Sequence, residues 1–220
     1  MIQSSALSSA TRSSATSDAI PRVFVVDDDI SVRESLELLI RSAGWEAETY
    51  TCAEEFLARP EVSVPSCLVL DMQLPGVNGL DLQERVATDR SGTPIVFITG
   101  HGDVPMTVRA MKAGAVEFLT KPLRDDVLLA AIAHAVQRSD AELRRGAELK
   151  MLRDRYASLT QREREVMALV VAGRLNKQVA AQLDISEITV KAHRAKVMRK
   201  MKARSLPDLV RIAANLGIDA

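Results

Sequence analysis

Polar side chains that could do chemistry recur at the ends of short apolar runs in the first half of this 220-residue chain. Three carboxylates follow the first run, and a carboxylate, a hydroxyl and an ammonium end later runs: Asp27, Asp28, Asp29, Asp71, Thr99 and Lys121. If the runs are parallel strands, their carboxyl ends share one edge of a sheet, where open α/β folds bind ligands. Strands one and three are neighbours in the flavodoxin-like order, so the pattern predicts that Asp27, Asp28 and Asp71 converge.

Three close carboxylates repel one another, and a divalent cation relieves that repulsion. Oxygen ligands without histidine or cysteine favour Mg²⁺, which keeps waters and accepts phosphate oxygens. A lysine and a hydroxyl that face the same point suit a phosphoryl group, and a carboxylate would receive it as an aspartyl phosphate. A single aspartate at a strand end is as readily a loop cap or a helix cap. The whole set in this order favours phosphoryl chemistry.

The elements that must position these residues alternate strictly along the chain. Apolar runs rich in β-branched residues predict strands buried on both faces, at 23–27, 46–50, 67–71, 94–100 and 116–122. Amphipathic stretches predict helices between and after them, at 31–44, 54–58, 80–87, 104–113 and 125–137. Right-handed crossovers then give an α/β domain with a flavodoxin-like, doubly wound five-stranded parallel sheet of order 2-1-3-4-5.

Two segments lie outside that alternation. Residues 1–20 are rich in Ser, Thr and Ala and predict a disordered arm. Residues 138–157 are charged, with irregularly spaced leucines, and predict a helical linker. The same stretch could instead extend the fifth helix and pair with a second copy of the chain. Gly146 is expected to interrupt it, which favours the linker.

The last part of the chain, residues 158–220, reads as an all-α domain of four helices. They are predicted at 159–173, 176–183, 187–201 and 205–217, and Thr160 and Glu163 form a capping box at the first. Residues 1–137 carry 11 Lys and Arg against 19 Asp and Glu, whereas residues 138–220 carry 18 against 10. The second and third helices, joined by a tight turn, outline a helix-turn-helix whose basic third helix could read a major groove. A solvated basic helix in a small bundle is the plainer alternative.

Composition excludes several classes of protein. No apolar run approaches the roughly 18 residues of a transmembrane helix, and the N-terminus lacks the apolar region of a secretory signal. Two cysteines cannot form a disulfide framework, and Cys67 is expected to be a buried small hydrophobe. These features predict a cytoplasmic protein without a membrane partner.

The first half resembles the receiver domain of bacterial two-component response regulators over residues 21–137. The resemblance rests on VVDDD (25–29), LVLDMQLPGVNGLDL (68–82), VFITGHGD (96–103) and AGAVEFLTKPL (113–123). It implies that Asp71 is the phospho-acceptor and that Mg²⁺ is held by Asp27, Asp28, Asp71 and the backbone carbonyl of Gln73. It further implies that Lys121 contacts the phosphoryl group, that Thr99 turns toward it, and that Phe118 is the aromatic switch residue. Asp29 receives no role.

The basic half resembles the four-helix, LuxR-type DNA-binding domain of the FixJ/NarL regulators, and residues 100–115 resemble the FixJ-like subgroup. The resemblance makes 187–202 the recognition helix, with Lys191, Ala192 and Ala195 at base-facing positions. It implies phosphate contacts by Arg194, Lys196 and Arg199, with Thr189 and Lys177 at the groove edge.

These resemblances favour a phosphorylation-dependent transcriptional regulator that is not an enzyme. Its implied partners are a sensor histidine kinase, double-stranded DNA, the transcription machinery and, when phosphorylated, a second copy of the chain. One alternative is a phosphohydrolase with an aspartate nucleophile, but Gln73 stands where such an enzyme carries its general acid. Another is a constitutive DNA-binding protein whose receiver serves only for dimerisation. The loss of one of the acidic residues or of the lysine would suggest that, and none of them is lost.

Overall fold

A computed structural model describes residues 19–76, 79–89, 93–100 and 102–218. The chain divides into two compact units between Asp140 and Ala141. Of the predicted N-terminal arm, only Ala19 and Ile20 lie within the described residues. Among the helices described, none combines the length and the apolar character that crossing a membrane requires.

The N-terminal unit is built on a five-stranded parallel sheet of order β2-β1-β3-β4-β5, which confirms the predicted fold class. Its strands are β1 (Arg22–Val26), β2 (Glu46–Tyr50), β3 (Ser66–Asp71), β4 (Ile95–Thr99) and β5 (Glu117–Thr120). Val26 of β1 pairs with Leu70 of β3, so the residues that follow, Asp27 and Asp71, lie side by side at the same sheet edge.

Helices cover both faces of the sheet. They are α1 (Ile30–Ser42), α2 (Ala53–Ala58), α3 (Gly79–Asp89), α4 (Val104–Lys112) and α5 (Asp125–Ala157). One core packs apolar side chains of α1 and α5 on one face, where Val23 and Val25 point. The other packs side chains of α2, α3 and α4 on the opposite face, where Phe24 and Val26 point. Cys67 is fully buried in the first core, as the apolar run around it predicted.

Helix α5 is much longer than its predicted counterpart. It continues for 33 residues to Ala157, so 138–157 is helical but Gly146 does not interrupt it. The expected break at Gly146 was therefore wrong. A glycine inside a helix costs only about 1 kcal/mol relative to alanine, and the leucine, alanine, glutamate and arginine residues around it are good helix formers. Pairing of this segment with a second copy stays a prediction.

The C-terminal unit contains α6 (Gln161–Val171), α7 (Asn176–Leu183), α8 (Glu187–Met201) and α9 (Leu206–Asn215). The capping box predicted at Thr160 and Glu163 is present at the start of α6. Between α7 and α8, Asp184 adopts a left-handed conformation and Ser186 caps α8 through the amide of Thr189. Val179, Val190 and Val197 are buried in the core that joins these helices.

Candidate functional site

Three aspartates converge at the carboxyl edge of the sheet, as the alternation of elements predicted. Carboxylate oxygens of Asp27, Asp28 and Asp71 all lie within 4.8 Å of one another. Asp27 and Asp71 are buried at the ends of adjacent strands, whereas Asp28 is exposed in the loop before α1. The cluster therefore forms a cup of oxygen donors that opens to solvent on the side of Asp28.

Lys121 joins the two buried carboxylates. Its Nζ lies 2.8 Å from Asp27 Oδ2 and 2.7 Å from Asp71 Oδ2. The lysine follows β5 directly, and its amide donates to the carbonyl of Thr99 at 2.7 Å, which fixes the strand end beside β4. The ammonium thus balances part of the charge of the three carboxylates.

These contacts shift the pKa values of Asp27 and Lys121. Burial raises the pKa of Asp27, and the hydrogen bond and charge of Lys121 offset only part of that effect. Burial by itself would lower the pKa of Lys121, but its bonds to Asp27 and Asp71 outweigh burial and raise that pKa. Lys121 therefore remains an ammonium throughout the physiological range.

Backbone amides orient two of the carboxylates, and an arginine binds the backbone of one of these residues. Asp71 Oδ1 accepts from the amide of Gln73 at 2.9 Å, and Asp27 Oδ1 accepts from the amide of Asp29 at 2.9 Å. Arg33 donates from its guanidinium to the carbonyl of Asp27 at 2.7 Å. Arg33 was not predicted, since nothing in its spacing shows that the first turn of α1 directs its side chain back toward the loop. Asp29, for which no role was predicted, caps α1 by accepting from the amide of Ser31.

The two predicted switch residues lie on adjacent strands. Thr99 ends β4 and is fully buried. Phe118 is half-buried on β5, with its ring centroid 6.1 Å from that of Phe97. A Cβ added at Gly102 would lie 3.0 Å from the Phe118 ring and 3.4 Å from the methyl group of Thr99. Glycine at this position therefore lets the loop before α4 pack directly against both residues.

In the C-terminal unit, α8 presents one face to the core and the opposite face to solvent. Val190, Val197 and Met201 are buried. At 100° per residue, the exposed residues Ile188, Ala192, Ala195 and Arg199 form a line on the other side. This arrangement leaves the outer face of α8 accessible along its length.

Both halves match known families. Residues 23–133 match the response regulator receiver domain, and residues 157–213 match bacterial regulatory proteins of the luxR family. Nodulation protein W of Bradyrhizobium diazoefficiens is 52% identical over 90% of this chain and 87% of its own length. The chain belongs to the response regulator family. It is a phosphorylation-dependent transcription regulator with a receiver domain and a LuxR-type DNA-binding domain.

Other relatives agree with this family membership. The transcriptional regulatory protein FixJ of Bradyrhizobium diazoefficiens is 43% identical over 89% of this chain and 96% of its own length. Among solved structures, the response regulator StyR has 51% identity and a TM-score of 0.78, covering 89% of this chain and 99% of its own. Full-length FixJ from B. japonicum has 42% identity and a TM-score of 0.54, covering 90% and 98%. These relatives are transcriptional response regulators rather than enzymes, and the family implies a sensor kinase and DNA as partners.

The cationic side chains of the DNA-binding domain of this response regulator differ in their exposure and in their contacts. Lys191, Lys196, Arg199 and Lys177 are exposed. Arg194 instead donates to the side chain of Asn176 at 2.5 Å on the inner side of α8, so its position does not favour the predicted phosphate contact. The Thr189 hydroxyl lies 2.8 Å from that of Ser186, within the cap of the helix.

A second cationic side chain of α8, that of Lys200, also forms contacts within the protein. Lys200 Nζ lies 2.6 Å from Glu163 Oε2 and donates to the carbonyl of Ser158 at 2.9 Å. Glu163 is buried, and its hydrogen bond with Lys200 lowers its pKa. The formal charge of the recognition helix therefore overstates the charge available to a ligand.

Proposed function

We propose that this response regulator accepts a phosphoryl group on Asp71 from a sensor histidine kinase in the cytoplasm. The convergence of Asp71 with Asp27, Asp28 and the Lys121 ammonium carries the proposal. An Asp71 oxygen would attack phosphorus while the bond from phosphorus to the donor's imidazole nitrogen breaks and the electron pair leaves with that nitrogen. Lys121 would then move its hydrogen bonds from carboxylate to phosphoryl oxygens.

The oxygen-only cup fits Mg²⁺ as the cofactor of this transfer. Asp27, Asp28, Asp71 and the backbone carbonyl of Gln73 would hold the ion. When bound, Mg²⁺ neutralises charge that would otherwise repel an incoming phosphoryl group. Arg33, through the Asp27 carbonyl, and the amide of Asp29, through Asp27 Oδ1, keep the first of these carboxylates in place.

We further propose that phosphorylation leads to a dimer that reads two half-sites on double-stranded DNA and recruits the transcription machinery. Support comes from α4, where Val104 is 77% exposed and Val108 and Met111 are also exposed. This apolar surface lies next to the switch residues and suits contact with the same surface of a second copy. The segment 103–122 of each copy would form the dimer interface. Lys191, Ala192, Ala195, Lys196 and Arg199 would contact the DNA, with Thr189 and Lys177 at the groove edge.

A single experiment tests the acceptor and the assembly together. The purified protein is incubated with acetyl phosphate and Mg²⁺, and intact mass and light-scattering mass are measured. We expect one phosphoryl adduct and a shift from monomer to dimer, both abolished in Asp71→Asn and by chelation of Mg²⁺. Asp29→Asn is the matched control, since asparagine caps a helix as well as aspartate does. An adduct that persists in Asp71→Asn at another carboxylate would refute the assignment.

A further inference from the structure

An isoleucine near the start of the recognition helix is largely exposed to solvent. Ile188 is the second residue of α8 and is 79% exposed, the most exposed of the large hydrophobic side chains in the described part of the chain. It is not needed for the core, which α8 contacts through Val190, Val197 and Met201 on the opposite side. Exposing this apolar side chain to water is unfavourable in the free protein, and burying it against a ligand would be favourable. Exposed apolar surface of this kind often marks a binding site.

The surroundings of Ile188 form a nonpolar strip with a charged border. Ile188, Ala192 and Ala195 follow one another at intervals of four and three residues, so they lie along one line of the helix. Lys191 lies about 60° to one side of Ile188 and Lys196 about 80° to the other, at 100° per residue. All five residues are exposed.

The nonpolar strip and its two lysines indicate which chemical group this surface of α8 would contact. Lys196 suits a phosphate that borders the groove and Lys191 suits a base edge, whereas the strip between them offers no hydrogen-bond donor or acceptor from its side chains. The only nonpolar group that a base pair presents in the major groove is the C5 methyl of thymine. The N-terminal residues of a recognition helix are also those that reach base edges, which is where Ile188 lies.

We propose that Ile188 is a specificity-determining residue that contacts a thymine methyl group in each half-site of the DNA. Ala192 and Ala195 have short side chains and let the helix approach the groove closely enough for this contact. The inference rests on the proposed binding of DNA by α8, and adds a base preference made by nonpolar contact to the discrimination expected from Lys191.

Deoxyuridine provides the direct test, since it lacks only the C5 methyl and keeps every hydrogen-bonding group of thymine. Duplexes are first selected from a random library with the phosphorylated full-length protein, and each thymine of the selected site is then replaced in turn by deoxyuridine. We expect one position per half-site at which this replacement weakens binding about fourfold, the ratio that corresponds to ~0.8 kcal/mol per buried methyl. In Ile188→Ala that ratio should fall to about one, and in Ile188→Val it should be largely retained.

Leu175→Ala is the matched control, because Leu175 is 69% exposed in the same domain but lies before α7 rather than on α8. It should keep the fourfold ratio. Wild-type protein that binds the selected duplex but loses no affinity at any thymine would overturn the role of Ile188 while leaving DNA binding intact. A ratio unchanged in Ile188→Ala would overturn it too. Failure of the phosphorylated protein to select any duplex would instead overturn the proposed function, and the present inference with it.

Discussion

Thr99 illustrates how a single hydroxyl could couple phosphorylation to a change of state. It is fully buried at the end of β4, and its carbonyl accepts from the amide of Lys121. Moving a two-state equilibrium from 1:99 to 99:1 requires about 5.5 kcal/mol of differential stabilisation. An aspartyl phosphate supplies new acceptor oxygens and about one to two negative charges, to which a hydroxyl and an ammonium can bond only after phosphorylation.

We therefore expect Thr99→Ala to accept the phosphoryl group at Asp71 and to respond to it only weakly. The measurement is DNA affinity with and without acetyl phosphate, alongside intact mass to confirm equal loading. Thr88→Ala, on the exposed side of α3, should respond like the wild type. A full response in Thr99→Ala would exclude Thr99 from the coupling.

The pair formed by Glu163 and Lys200 makes a second prediction at the scale of single residues. The pKa of Glu163 is lowered from its ordinary value of 4.5 by Lys200 first and by the Thr160 amide second. A carboxyl with a lower pKa in the folded state stabilises the fold above its ordinary pKa, and that contribution is lost as the pH falls through the folded-state value. Glu163→Gln should thus cost about 1–3 kcal/mol at neutral pH, and this cost should shrink as the pH falls below 4.5, the ordinary pKa of a glutamate.

Hydrogen exchange of the α6 backbone in the full-length protein measures this cost locally. Glu165→Gln is the control, because Glu165 forms a more exposed pair with Arg162 and such pairs contribute about 0–1 kcal/mol. Equal effects of the two substitutions would mean that Glu163 and Lys200 form no more than a surface pair.

Residue types and strand order were sufficient to predict that Asp27, Asp28 and Asp71 converge, because topology alone places neighbouring strand ends together. They were not sufficient for Arg33 or Arg194. Which way a helical side chain points depends on how the helix rotates against its core, and a basic residue near the buried face looks the same in sequence as one facing solvent. The bond between Arg194 and Asn176 joins two helices and has no local signature.

At the scale of elements, α5 shows where local sequence signals mislead. The other helices were predicted to within a few residues of their observed ends, since caps and glycines mark those ends. Gly146 was expected to mark such a helix end as well. In α5 it is exposed, and a Cβ added there would meet nothing within 4 Å, so no packing or turn requires glycine.

Gly146→Ala should therefore stabilise α5 by about 0.5–1 kcal/mol, because alanine loses less conformational entropy in a helix. Calorimetric unfolding and hydrogen exchange of residues 141–150 measure the effect. Gly114→Ala is the contrasting control: its neighbourhood is equally open, but its φ of +95° strains any L side chain, so it should destabilise. Loss of stability in Gly146→Ala would show that the glycine is needed in a conformation other than the helix.

At the scale of the whole molecule, charge is divided between the two halves. Residues 1–137 carry a net charge of −8 and residues 138–220 carry +8. The basic half should attract DNA with a steep dependence on salt, in which log K falls by about 0.9 per phosphate neutralised for each log unit of salt. Lys200 and Arg194 are committed to internal contacts, so we expect a smaller slope than the formal charge of α8 suggests.

Two substitutions distinguish contacts to phosphates from contacts to bases in the binding of DNA. Arg199→Ala should weaken binding to all sequences alike and lower the salt slope by about one per subunit. Lys191→Ala should cost about 1–3 kcal/mol at its cognate base and relax discrimination there. Kd is measured over a salt series, with Lys150→Ala on α5 as an exposed control that should change neither quantity. The reverse pattern would mean that α8 sits in the groove in a different rotation.

Lys121 is also a competitor, built into the chain, for a cation that enters the cluster of Asp27, Asp28 and Asp71. Its ammonium is tethered to the chain and bonded to Asp27 and Asp71, so it has a fixed effective concentration at the oxygens that a metal ion would use. A free cation that uses those two oxygens has to displace the ammonium from them, and this competitor cannot diffuse away. The sequence itself therefore sets the cation concentration that is needed to displace the ammonium. We expect weakly binding monovalent ions to stay out at concentrations at which a divalent ion binds.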